Sequence, residues 1–119
     1  MGPEEFRKLA LSFPGTEERE HMRHPDFRVG GKIFATIGYP DESFAMVRLA
    51  PAEQERFLKT APDIFVPVKG AWGRQGCTHI RLKAAKKPHK EKICLALEAA
   101  WQNRVGLKAR IDTKKLRGV

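Results

Sequence analysis

A chain of 119 residues, 41% of them apolar and 31% charged, has the size and composition of one domain with its own core, which excludes a globally disordered chain and a disulfide-stapled miniprotein. The sequence carries 23 Lys and Arg against 14 Asp and Glu, and the surplus lies entirely in its second half: residues 1–60 hold 9 basic and 10 acidic side chains, residues 61–119 hold 14 and 4. Such a field draws anions to one end of a small protein.

The first predicted element is a helix over Pro3–Ser12. Pro3 suits a first helical position, Glu4 and Glu5 complement the positive end of the dipole, and Phe6, Leu9, Ala10 and Phe13 form one apolar stripe. Pro14-Gly15 stops it. Residues 18–49 read as strands joined by turns. Glu18–Arg23 is polar and weak as a strand, and His24-Pro25 reads as a turn or bulge. Phe27–Val29 and Lys32–Tyr39 form a hairpin around Gly30-Gly31, and Phe44–Leu49 follows the turn Pro40-Asp41-Glu42. Pro51–Thr60 returns to helix, with Phe57 and Leu58 as its buried side. Ile64–Val68 and Thr78–Leu82 are two further strands, separated by a glycine-rich loop, Lys69–Gly76. The last helix begins near Pro88, presents Ile93, Leu97, Ala100 and Trp101 on one face, and ends near Val105-Gly106. The order α, three or four strands, α, two strands, α predicts a two-layer α+β domain, its sheet mainly antiparallel and its helices on one face. Residues 1–105 form that domain. Residues 106–119 are a basic tail, with five Lys and Arg against Asp112.

Two cysteines, Cys77 and Cys94, predict free thiols in a reducing compartment. The acidic start Met1-Gly2-Pro3-Glu4-Glu5 lacks the apolar stretch of a leader, and no run approaches the ~18 apolar residues of a membrane span. The expectation is a cytoplasmic protein without a membrane partner.

Several stretches together resemble one family. They are Leu9–Glu18 (LALSFPGTEE), His24–Ala35 (HPDFRVGGKIFA), Gly70-Ala71-Trp72-Gly73 with Cys77–Leu82 (CTHIRL), and a helix holding Ala99-Ala100-Trp101. Over roughly residues 4–105 the chain is similar to the MmcQ/YjbR family of small bacterial proteins. The resemblance implies a fold like that of type III secretion chaperones, and loosely like bacterial frataxin. It also implies DNA binding through a double-wing surface, with no catalytic residues to carry over.

The residues themselves offer several candidate sites. The basic stretch supplies Lys69, Arg74, Arg81, Lys83, Lys86, Lys87, Lys90 and Lys92 as phosphate contacts, some of them at a helix start where backbone N–H groups also meet an anion. Arg28, Lys32 and Arg48 extend this surface if the strand order brings them near. Trp72, between Lys69 and Arg74, is either a base-stacking platform or, as its size favours, a loop anchor folded onto the core. Cys77 and His79 share a strand face with Arg81. They are an outward strand face with an incidental thiol, as the lack of a second Cys pair favours, two soft ligands that His24 or His21 would have to complete for zinc, or a thiol activated by Arg74, Arg81 and His79. His24-Pro25-Asp26 reads as a strand bend fixed by Pro25 or as a pocket edge. Glu17, Glu18 and Glu20 are too mixed with Arg19 and Arg23 for an iron face. The composite expectation is a non-enzymatic DNA-binding protein without cofactor that contacts phosphates through a basic edge. The alternative is a protein-interaction module, like a secretion chaperone, that takes an acidic partner segment.

Overall fold

The computed structural model describes residues 1–86 and 89–105. Helix α1 covers Pro3–Leu11, with Pro3 in its first turn, Glu4 and Glu5 at its positive end, and Phe6 and Ala10 buried. Four strands follow, β1 (Thr16–His21), β2 (His24–Val29), β3 (Lys32–Ile37) and β4 (Phe44–Arg48), then helix α2 (Pro51–Thr60). The second half supplies β5 (Phe65–Pro67), a one-turn helix α3 (Ala71–Arg74), β6 (Cys77–Arg81), a 3-10 turn at Leu82–Ala84 and the long helix α4 (Lys90–Arg104). All strand pairs are antiparallel in the spatial order β1-β2-β3-β4-β6-β5, so the basic half of the chain is zipped directly onto β4.

The α+β class with an antiparallel sheet is as the sequence predicts. Three local features differ. The segment Lys69–Gly76 contains α3 rather than only loop. The stretch weak as a strand is the regular strand β1. The chain turns before His24, at Met22-Arg23, leaving His24-Pro25 inside β2. The predicted start of α4 at Pro88, its glycine stop at Gly106 and the basic tail lie outside the described residues.

Period-two alternation and the register sort the side chains onto two faces. Phe27 opposes Ala35, Ala35 opposes Val47, Ile37 opposes Ala45, Ala45 opposes Ile80, and Ile80 opposes Phe65, all of them buried. Helices α1 and α4 pack on this face, α4 presenting Ile93, Ala96, Leu97, Ala100 and Trp101. Trp101 stacks on Phe13 with ring centroids 5.8 Å apart, and its Nε1 donates to Pro14 O at 3.0 Å, which satisfies the one polar atom of a buried ring. The opposite face carries His24, Asp26, Thr36, Met46 and His79, and the α1–α4 layer leaves it open. Among the described residues no helix is long and apolar enough to cross a membrane.

Candidate functional site

The open face of the sheet holds a cavity of about 550 Å³. Ile33, Met46 and Val68 give it an apolar lining with Thr36 among them, while His24 from β2, His79 from β6 and Tyr39 from the loop after β3 border it. The rings form a row: His24 lies 6.0 Å from Tyr39, Tyr39 lies 6.4 Å from His79, and His79 meets Phe44 edge-on at 5.6 Å. Tyr39 is 60% exposed and Trp72, which also borders the cavity, is 58% exposed. Apolar lining with a few polar rings is the composition of a ligand-binding hollow.

Two devices fix this face at its β1–β2 side. Asp26 is fully buried, and its carboxylate accepts from Arg28 Nε at 2.8 Å and Arg28 Nη2 at 3.1 Å, with His21 Nδ1 3.3 Å away. The Arg28 fork holds the Asp26 carboxyl below its ordinary range, against the opposing effect of burial. The hairpin turn above it places Met22 and Arg23 at φ 51° and 66°, in the left-handed region that side chains other than Gly and Asn avoid. Met22 is 82% exposed and borders the cavity, so this strained turn sits at the mouth of the site.

At the other side, α3 presents Trp72 because two glycines let it lie flat against backbone. A Cβ on Gly73 would stand 1.7 Å from Val68 O, and one on Gly76 would stand 1.9 Å from Leu49 O. Gly76 also has φ +109° and accepts Leu49 N at 3.2 Å, tying the end of β4 to the start of β6. Gln54 of α2 donates to Gly73 O at 2.9 Å and Cys77 O at 3.1 Å, bracing the same segment. The expectation of Trp72 folded onto the core is therefore corrected. Its small neighbours seat the backbone against Val68, the indole stays outside, and the Arg48 guanidinium lies 5.4 Å from its ring centroid.

The candidate cations do not gather in one place. Lys69, Trp72 and Arg74 lie at the end of the sheet where β6 begins, together with Arg48. Arg81 is exposed at the other end of β6, about 13 Å away along the strand, and Lys83 and Lys86 are exposed just beyond it. There Lys83 acts on Asp41, and Lys90 is ion-paired with Glu5. Lys92 is half-buried on α4, the helix that packs against the opposite face of the sheet. Lys87 lies outside the described residues. Arg28 is committed to Asp26; Lys32, exposed at the start of β3, lies at the same end of the sheet as Arg48, and of these three Arg48 is the one whose guanidinium lies over the Trp72 ring.

Cys77 and His79 share the cavity face, as their spacing predicts. The cations near Cys77 are Arg48 and Arg104 rather than Arg74 and Arg81, and burial outweighs them and pushes the thiol up. That is opposite to an activated thiol. Brief alkylation of the folded protein at neutral pH, read by mass spectrometry, is expected to leave Cys77 unmodified; rapid labelling there would contradict this assignment. Burial also pushes His79 down, which favours the neutral ring, and its Nδ1 is buried with no hydrogen-bond partner among the described residues. Among the described residues no three His, Cys, Asp or Glu side chains converge on a metal position. Of the bend and the pocket edge read for His24-Pro25-Asp26, His24 borders the cavity and Asp26 braces it from below.

Sequence reasoning missed Tyr39, Met46 and Arg104. They carry no motif: the sheet order brings Tyr39 and Met46 to the cavity, and the packing of α4 on β3 and β4 brings Arg104 to the hollow that Arg48 borders. No curated protein matches the chain. A model of the YjbR family matches residues 11–103, a span from the last residue of α1 into α4 that takes in every strand, and the chain belongs to that family.

Proposed function

We propose that this protein binds nucleic acid without catalysing a reaction on it, with phosphates at the Trp72 end of the sheet and an unpaired base against the indole. The supporting observation is an exposed indole among unpaired cations. Lys69, Arg74 and Arg48 have no carboxylate within ion-pair distance among the described residues, and they lie around Trp72, whose ring is 58% exposed. Unpaired cations around an exposed aromatic ring are the two parts of a single-strand platform: backbone attraction and sequence-tolerant stacking. Arg81, Lys83 and Lys86 then extend the path of the strand past the sheet. Free thiols at Cys77 and Cys94 suit the reducing cytoplasm.

Quenching of tryptophan emission by a short single-stranded DNA reads this directly, because Trp72 is 58% exposed and Trp101 is 2% exposed. Quenching is expected at low salt, with an affinity that falls on a log–log slope of about −0.7 for each phosphate engaged. Trp72→Ala is expected to weaken binding by about 1–3 kcal/mol. An acidic peptide of the same charge is the control. Absent or salt-indifferent binding of DNA would overturn the reading, and tighter binding of the peptide would favour a protein-interaction module instead.

A further inference from the structure

Arg48 belongs to two hollows. On the open face it borders the 550 Å³ cavity with Trp72, and around the end of the sheet it borders a second hollow of about 250 Å³ with Gln75, Asn103 and Arg104. Arg104 comes from the last turn of α4. Its Nε donates to Ile33 O at 3.1 Å, which orients the guanidinium, and its two Nη groups have no hydrogen bond among the described residues. No carboxylate lies within ion-pair distance of Arg48 or Arg104 among the described residues. Glu53, which approaches from α2, is committed to Ala50 N and Asn103 Nδ2, both at 2.8 Å.

Two arginines that border one hollow without a counter-charge oppose each other. Burial, and then the charge of Arg48, push Arg104 down. A bound dianion would relieve both effects. A phosphate monoester carries about −1.5 to −2 charges at neutral pH and accepts the paired N–H groups of arginine. A carboxylate would neutralise one of the two cations. The larger hollow, reached past Arg48, offers apolar lining and the aromatic edges of Trp72 and Tyr39, which suit a planar ring.

We propose that the two hollows form one site for a nucleotide: Arg48 and Arg104 bind its phosphate monoester, and the cavity bordered by Trp72 and Tyr39 holds its base. This rests on the nucleic-acid reading for its ligand class and adds residues outside the basic edge. The shared chemistry comes from two sources, a free nucleotide and the 5′-phosphorylated end of a strand.

Calorimetric titration of the full chain with a nucleoside 5′-monophosphate tests it, with the nucleoside, ribose 5-phosphate and inorganic phosphate as partial ligands. The nucleotide is expected to bind at least about tenfold tighter than any partial ligand. Arg48→Gln and Arg104→Gln are each expected to weaken it about tenfold or more, while Lys59→Gln on α2 leaves it unchanged. Because Arg104→Gln also loses the bond to Ile33, Arg104→Lys is the companion variant: it keeps a cation but not the fork, and is expected to fall between wild type and Gln. Nucleotide affinity no better than that of inorganic phosphate, or unaltered in Arg48→Gln, would overturn the proposal. A 5′-phosphorylated strand that outcompetes its unphosphorylated twin identifies strand ends as the source; equal competition identifies free nucleotide. Binding of unphosphorylated strands without nucleotide binding would leave the basic edge standing and this site refuted. Nucleotide binding without strand binding would do the reverse.

Discussion

Replacing Gly76 with alanine is expected to cost about 4 kcal/mol and to release Trp72 from the sheet face. The new methyl would stand 1.9 Å from Leu49 O and 2.8 Å from Leu49 C, and the residue would have to hold φ +109°. Both partners are backbone, so no side-chain rotation relieves the overlap. The chain must shift where Gly76 O accepts Leu49 N, which separates the end of β4 from the start of β6. Gly73→Ala meets the Val68 carbonyl at 1.7 Å and is expected to act in the same direction. Gly31→Ala is the contrast: its methyl meets nothing within 4 Å, and only the left-handed φ of +78° opposes it, for about 1 kcal/mol. Thermal unfolding followed by tryptophan emission checks all three. Gly76→Ala is expected to be the least stable, and any folded fraction should bind DNA like Trp72→Ala. A Gly76→Ala protein as stable as Gly31→Ala would show that the segment before β6 does not hold α3 in place.

Asp26→Asn is the second large effect, about 2–3 kcal/mol of stability or roughly 10 °C in Tm. The amide is nearly isosteric, but it turns one acceptor into a donor facing the Arg28 fork and leaves the guanidinium without its counter-charge. The pH dependence follows from the direction of the shift. The Asp26 carboxyl is depressed in the folded protein, so its contribution is fully present above its ordinary value near 3.8 and is lost as pH falls through the lower folded value. Wild-type stability should therefore drop below about pH 4 with a component absent from Asp26→Asn. Denaturant unfolding at pH 7 and pH 3 measures both. A difference between the two proteins that stays the same at pH 3 would mean that Asp26 is not held as a carboxylate.

The layer packing was legible because its residues repeat. The α4 stripe Ile93, Leu97, Ala100 and Trp101 is buried as its period requires, and the Gly30-Gly31 hairpin forms with both glycines at positive φ. β1 was nearly illegible for a physical reason: as an edge strand exposed along nearly its whole length, it has no apolar face for alternation to report. The Met22-Arg23 turn has no turn-forming residue, and α3 is too short, with a glycine inside it, to leave a periodic trace. The site was half visible. Trp72 and its flanking cations stood out by type, but their separation from Arg81 and Lys83 follows from the direction of β6. The pairing of Lys90 with Glu5 joins the start of α4 to α1. Asp26 read as part of a strand bend at Pro25 or as a pocket edge with His24, and only the folded structure shows it as a buried carboxylate held by Arg28. The charge asymmetry of the sequence thus divides between the two ends of β6, and only at the Trp72 end do unpaired cations lie around an exposed indole.

The most direct test of that assignment is the nitrogen–proton correlation spectrum of the isotopically labelled full chain, recorded with and without a short single-stranded oligonucleotide at low salt. Shifts are expected at the Trp72 indole N–H, the amides of Lys69–Gly76 and the neighbouring Arg48 and Cys77, fading as salt is added. Shifts confined to α1, α4 or β1, or a spectrum unchanged by the oligonucleotide, would contradict nucleic-acid binding at the Trp72 end of the open face.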